Sequence, residues 1–125
     1  MIRVAKCSFA EVKQFAARAA KERVSISDTA NTEWHAAWEG DRILGCAALL
    51  VAGQKARIKG CWTEPVDRGK GAGNALVLHL ISKASDNPAL NRIEVLSVAP
   101  AFWRKLGFKE LTEVRSGVTR LTKHL

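Results

Sequence analysis

Arg68-Gly-Lys-Gly-Ala-Gly-Asn74 is the stretch on which the reading of this chain turns. It follows a strand-like run ending near Thr63 and opens a helical pattern near Gly73, with Glu64-Pro-Val-Asp67 leading in. Glycines at 69, 71 and 73 let the backbone turn sharply with its amides pointing one way, and a helix start adds free N–H groups and a partial positive charge. An anion fits such a seat. Arg68 and Lys70 supply full charges at its rim, so a diphosphate is the natural guest. Two better-known phosphate loops are excluded: a Walker loop needs a glycine where the chain has Glu64, and a dinucleotide fingerprint begun at Gly69 and Gly71 needs one at Asn74. The plain alternative is a glycine-rich turn with no ligand.

Downstream, Leu76, Val77, Leu80, Ile81 and Ala84 recur at helical spacing until Asp86-Asn87-Pro88 ends the pattern. His79 falls opposite that stripe and reads as a solvated residue. Upstream, Lys55 to Thr63 alternates Ile58, Gly60 and Trp62 against Arg57, Lys59 and Cys61, which predicts a strand. Glu33 to Glu39 and Arg42 to Val51 are two further strands about Gly40-Asp41, a two-residue hairpin turn whose first position suits glycine because it takes positive φ. Nearer the start, Met1 to Cys7 reads as a strand and Ser8-Phe-Ala-Glu11 as a capping box. The helix it opens carries Phe9, Val12, Phe15, Ala16 and Ala19 on one face to about Arg23. Ser25 to Thr32 is a polar loop. Past the central helix come a strand from Arg92 to Val98, a short helix from Pro100 to Leu106 closed by Gly107, and strands Phe108 to Arg115 and Val118 to Lys123 about Ser116-Gly117. No repeat or linker divides residues 1–125, so the expectation is a single mixed α/β domain.

The 125 residues are 47% hydrophobic and 26% charged, an ordinary globular composition. The longest apolar stretch, Ile43 to Ala52, is broken by Gly45 and reaches only half of the roughly 20 residues a membrane helix needs, so no membrane partner is expected. Lys6, Glu11 and Lys13 interrupt what a signal peptide would keep apolar, and three cysteines without C-x-x-C spacing argue against disulfides and a zinc site. Both point to a reducing cytoplasm, and no metal is expected. The net charge of +8 asks for an anionic partner without choosing among a nucleotide cofactor, an acidic substrate and nucleic acid.

In Arg68-Gly-Lys-Gly71-Ala-Gly73, with Pro65 ahead of it, the chain resembles the GNAT superfamily of acyl-CoA N-acyltransferases, whose pyrophosphate loop is Arg/Gln-x-x-Gly-x-Gly/Ala between a strand and a helix. Ala99-Pro-Ala-Phe-Trp-Arg-Lys-Leu-Gly-Phe108 is similar to the family's late short helix, and the likeness runs from about Trp34 to Phe108. The resemblance implies a central, twisted, mostly antiparallel sheet of about six to seven strands flanked by about three to four helices. It also implies N-acetyl transfer from acetyl-CoA to a small-molecule or peptide amine by direct attack. Its diphosphate would lie on Arg68, Gly69, Lys70, Gly71, Ala72, Gly73 and Asn74, with the pantetheine arm along Cys61, Trp62 and Thr63. The thioester would sit between the splayed ends of the strands Lys55 to Thr63 and Arg92 to Val98.

The family often protonates the leaving thiolate with a tyrosine beside a late-helix phenylalanine; here that position is Trp103, next to Phe102, and the chain has no tyrosine. Indole is no acid, so Trp103 either packs on the cofactor or belongs to the core. Ser97 is the remaining hydroxyl near the thiolate, though a serine closing a strand also serves as a turn residue. Glu64 either orients the amine or begins the loop. Glu33, His35 and Glu39 share a strand face, as acceptor-facing residues do and as any half-exposed strand does. Cys61 lies near the thioester or simply packs. The competing function is a GNAT-fold module, weak or inactive in catalysis, that binds CoA or nucleic acid through its basic surface. A second copy of the chain also stays open as a partner.

Overall fold

Gly40, at φ +60°, holds the first central position of the turn joining β2 (Thr32–Glu39) to β3 (Arg42–Ala52), and Glu39 pairs with Arg42 across it. In the computed structural model, which describes all 125 residues, this hairpin lies within a seven-stranded sheet. β1 (Arg3–Cys7) runs antiparallel along β2, and β4 (Lys55–Thr63) antiparallel along β3. β5 (Arg92–Ser97) is parallel to β4, and β7 (Val118–His124) and then β6 (Lys109–Arg115) complete the order β1-β2-β3-β4-β5-β7-β6. A parallel pair needs a long crossover, and α3 (Ala72–Ser85) supplies it. The mostly antiparallel mixed sheet is the one the sequence leads one to expect.

Helices cover the sheet unevenly. On one face α3 buries Leu76, Val77 and Leu80 completely against Leu49, Ile58 and Ile93, and α4 (Pro100–Arg104) adds Trp103 to the same core. Each such aliphatic side chain contributes about 1.5–3 kcal/mol when withdrawn from water. On the other face α1 (Phe9–Val12) and α2 (Ala16–Lys21) bury Val12, Phe15 and Ala19 against Trp34, Ala48 and Trp62. The capping box forms: Ser8 Oγ accepts from the Glu11 amide at 3.3 Å and the Ser8 amide donates to Glu11 Oε1 at 3.0 Å. The single helix expected to Arg23 is instead two, joined by a 3₁₀ turn at Lys13–Phe15. A 3₁₀ turn aligns residues three apart, so Val12 and Phe15 both reach the sheet.

Two features of β4 shape what lies at its end. It pairs with β5 only from Lys55↔Arg92 to Ile58↔Val95, which leaves the β5-facing edge of residues 59–63 free. A bulge also falls at Gly60, where φ is +62° and a Cβ would come within 2.5 Å of the Trp34 ring. The bulge reverses the alternation. Ile58 packs on the α3 side and Trp62 on the α1–α2 side, whereas the sequence pattern had put them on one face.

Candidate active site

The glycine loop leaves its backbone amides unpaired. Gly69 and Gly71 take φ +88° and +91°, where side chains are strained, and a Cβ on either would meet nothing within 4 Å. Gly71 is the N-cap of α3 and has no side chain to cap it. The first backbone bond past the loop is Ala75 N to Gly71 O at 3.0 Å, so the amides of residues 69–74 donate to no group of the protein. A row of unmet N–H groups facing open space at a 14-residue helix's positive end fits a diphosphate. Phe102 closes the inner side, its ring 3.4 Å from where a Gly73 Cβ would stand.

The loop is held by a residue that sequence reading passed over. Asp67, its side chain fully buried, is bonded through both carboxylate oxygens by Arg42 at the start of β3, with Arg42 Nη1 2.6 Å from Oδ2. Lys70 Nζ donates to Asp67 Oδ1 at 3.0 Å. These hydrogen bonds, Arg42's first, hold the Asp67 carboxyl at about 2. Asp67 is far from Arg42 in sequence, and only its place in a Gly/Pro-rich loop marks it out. Arg68 does not lean over the glycines: Nη2 binds Glu22 at 2.5 Å, Nε donates to the Thr63 carbonyl at 3.0 Å, and the guanidinium lies 5.8 Å from the Trp62 ring centre. Both rim cations are thus drawn toward carboxylates, and the backbone amides are what faces outward.

The strand end beside the loop carries the other candidates. The Glu64 amide bonds Leu44 O of β3 at 2.8 Å, so by alternation the backbone groups of Cys61 and Thr63 point to the free edge opposite β5. Burial pushes the Cys61 thiol up to about 12, so it stays protonated near neutral pH. Glu64 is clasped by Arg18 of α2, with contacts of 2.5 and 3.3 Å. Glu22 accepts from Trp62 Nε1 at 3.2 Å, and the Arg68 hydrogen bond holds its carboxyl below the usual range. Ser97 ends β5, its Oγ accepting from the Ala99 amide at 2.9 Å. Trp103 is 3% exposed, edge-on to Phe102 and Phe108 at 5.2 Å, and belongs to the core.

Glu33, His35 and Glu39 are not brought together at this end. Glu33 and His35 lie toward the opposite end of β2, under α3. His35 Nε2 meets Glu33 Oε1 at 2.8 Å, and its ring lies 5.0 Å from that of His79. His79 is therefore half-buried against His35 rather than solvated, because α3 crosses β2 as well as β3 and β4. Burial lowers the His35 pKa, which keeps the ring neutral. Glu39 instead lies 3.9 Å from Lys70, beside the loop.

A model of the acetyltransferase (GNAT) family matches residues 3–108, from β1 through α4. This chain belongs to that family. Among solved structures it is similar to N-acetylglutamate synthase from Neisseria gonorrhoeae complexed with coenzyme A and N-acetyl-glutamate, at 16% identity and a TM-score of 0.83. That match covers 100% of this chain and only 35% of the synthase. A putative acyl-CoA N-acyltransferase from Klebsiella pneumoniae, also at 16% identity and TM-score 0.83, is matched over 100% of this chain and 98% of its own. IAA acetyltransferase from Bacillus cereus, at 16% identity and TM-score 0.82, is matched over 100% of both chains. These likenesses establish the fold that the family match names. No helix is long and apolar enough to cross a membrane.

Proposed function

We propose that this GNAT-family chain is an N-acetyltransferase that takes an acetyl group from acetyl-CoA to an amine by direct attack. The observation that carries the reading is the run of unmet amides at residues 69–74, held open by Gly69 and Gly71 in left-handed conformations that only glycine takes freely. Acyl-CoA, when bound, supplies an acyl group already activated as a thioester. The loop amides hold its diphosphate, and the free β4 edge pairs with its amide-bearing arm through the Cys61 backbone and the Thr63 amide, the Thr63 carbonyl being taken by Arg68. That edge points the reacting end toward the place where β4 and β5 part.

The protein's own contribution is position and donors. Backbone N–H groups on the free β4 edge polarise the carbonyl. Ser97 Oγ is already an acceptor for Ala99, so its hydrogen is available to the departing sulfur. A protonated Cys61 is a poor nucleophile, which favours direct attack over a cysteine-bound intermediate. Glu64, clasped by Arg18, orients the amine. Much of the rate then comes from proximity.

Isothermal titration with CoA and acetyl-CoA, followed by acetylation of a panel of amines, tests the reading. Failure to bind either nucleotide at millimolar concentration would sink it. The missing tyrosine favours a second reading, a CoA-binding module without turnover. CoA binding with no product from any amine would establish that one.

A further inference from the structure

α1 and α2 cover β2, β3 and the end of β4, and leave the same face of β5, β7 and β6 bare. Its side chains follow from the register. Arg57 pairs with Glu94 and Glu94 with Thr122, while Leu96 pairs with Arg120 and Arg120 with Thr112. Ile93, Val95 and Leu121 point the other way, into the α3 core. The bare face is thus strongly basic. Its buried carboxylate, Glu94, is shared by Lys55, Arg92 and Arg57 at 3.5, 3.4 and 3.8 Å. Lys59, Arg120, Lys109 and Arg115 form no ion pair at all, and the buried Nε of Arg120 has no hydrogen-bond partner. The acids of β6 turn away: Glu110 reaches Arg104 at 2.5 Å on the α4 side, and Glu113 accepts from the Gly117 amide at 2.9 Å.

This face runs directly into the gap between β4 and β5. Arg120, opposite Leu96, sits one residue past the last β4–β5 pair, and Lys59 is one residue past it on β4. Above the gap, Arg23 reaches from the end of α2 to the Ser116 carbonyl at 2.8 Å, so a strap spans the top of the cleft between α2 and the β6–β7 turn. An acceptor approaching from this side comes under the strap, along the sheet.

We propose that the bare face of β4, β5, β7 and β6 is the track of the acceptor, and that the acceptor is an acidic polypeptide segment whose amine enters the β4–β5 gap past Arg120 and Lys59. The inference rests on the acyl-transfer reading for the role of the bound segment, but not for the binding itself. A lone small carboxylate needs only Arg120. The unpaired cations instead span three strand spacings, about 14 Å, which matches an extended chain carrying several carboxylates. Nucleic acid is the poorer match, because single strands are held by exposed aromatic rings. The one tryptophan or phenylalanine on this face, Trp62, is buried beneath Phe15 and Arg18.

The test uses the full chain, a twelve-residue (Glu-Gly) repeat peptide with a free N-terminus and a C-terminal fluorophore, and a labelled single-stranded DNA of equal formal charge. Fluorescence anisotropy should show peptide binding that weakens with salt. Lys59→Gln/Arg120→Gln should weaken it at least tenfold, and Lys109→Gln/Arg115→Gln, on the exposed edge strand where folding is not at risk, at least threefold. CoA titration should be unchanged in both pairs, and acetyl-CoA should acetylate the peptide N-terminus. Absence of peptide binding, or equal binding by both variants, overturns the proposal. So does tighter binding of the DNA that is lost in the same variants, or a bound peptide left unmodified while a neutral amine is acetylated. If no form binds CoA, the acyl-transfer reading fails by itself, and the peptide titration still decides whether the face is an acidic-peptide site.

Discussion

Replacing Gly71 with glutamate separates the cost of the loop's conformation from the worth of its ligand. At φ +91° any side chain costs about 1–2 kcal/mol relative to glycine. A Cβ there meets no atom within 4 Å, so there is no clash to add. The new carboxylate stands at the N-terminus of α3, where a negative charge returns about 0.3–1 kcal/mol. The fold should therefore survive with a melting temperature only a few degrees lower. The bound diphosphate would fare differently. At about 5 Å and an effective dielectric constant of about 20, each unit of like charge repels by about 3 kcal/mol. For two charges, even with half lost to screening, CoA affinity should fall by a factor of about 10² or more. Gly71→Ala carries the strain without the charge, and should lose much less. Isothermal titration at one fixed ionic strength, with thermal melts of all three proteins, gives both quantities. A Gly71→Glu protein that melts near the parent and binds CoA within threefold of it would mean that the diphosphate does not sit on these amides.

Gly60→Ala should be far more damaging to stability than Gly71→Ala: the same left-handed strain is joined by a Cβ 2.5 Å from the Trp34 ring, an overpacking cost of about 1–3 kcal/mol more, visible in denaturant midpoints. Asp67→Asn should weaken CoA binding by about tenfold and lower the melting temperature as well, since it unties the loop from Arg42 and Lys70. For the same reason the parent's loop anchor should persist on acidification to about pH 4 and be lost between there and about pH 2, because a depressed carboxyl stabilises the fold only while ionised; tryptophan fluorescence would follow it. His35 has the opposite chemistry and the same sign: its pKa is lowered from 6.5, so the folded state prefers the neutral ring and stability should decline as pH falls below about 6.5, a slope that His35→Leu should flatten between about pH 7.5 and 5.5. Glu33, His79, Lys83 and Lys6 surround that ring. Ser97→Ala should lower kcat by about tenfold with KM for acetyl-CoA unchanged, a hydroxyl being a donor rather than a strong acid; an unaltered kcat would remove Ser97 from the reaction.

The loop was legible because its signal is local: three glycines and a helix start fix where amides go whatever surrounds them. The hairpin at Gly40-Asp41 and the capping box at Ser8 were legible for the same reason. What escaped the sequence depends on distant partners. A bulge at Gly60 looks like unbroken alternation when strand partners are unknown, so Trp62 was placed with Ile58. Asp67 gains its importance from Arg42, brought beside it by β3, and His79 gains its neighbour from a strand that precedes it by three elements. The bare basic face was equally hidden: Lys59, Arg92, Lys109 and Arg120 are scattered along the chain, and only the register aligns them.

That register also bears on how the proposed transfer would proceed without a tyrosine. A general acid is worth about 10²–10⁴ in rate, but most where the leaving group is a poor one. A thiol whose ordinary pKa is about 8.5 leaves as a thiolate only a unit or so above neutral pH, so each unit of mismatch costs about 1.4 kcal/mol rather than the whole of that factor. A hydrogen-bond donor such as Ser97 and the cations beside the β4–β5 gap can supply stabilisation of that size. On the proposed reading Arg120 and Lys59 would act twice, attracting an acidic acceptor and favouring negative charge where the sulfur departs. A positive field at the gap also disfavours a protonated amine, which makes the neutral, reactive form easier to hold. Such an arrangement would trade a single strong acid for a basic surround, and an acidic acceptor would be the substrate for which that exchange costs least.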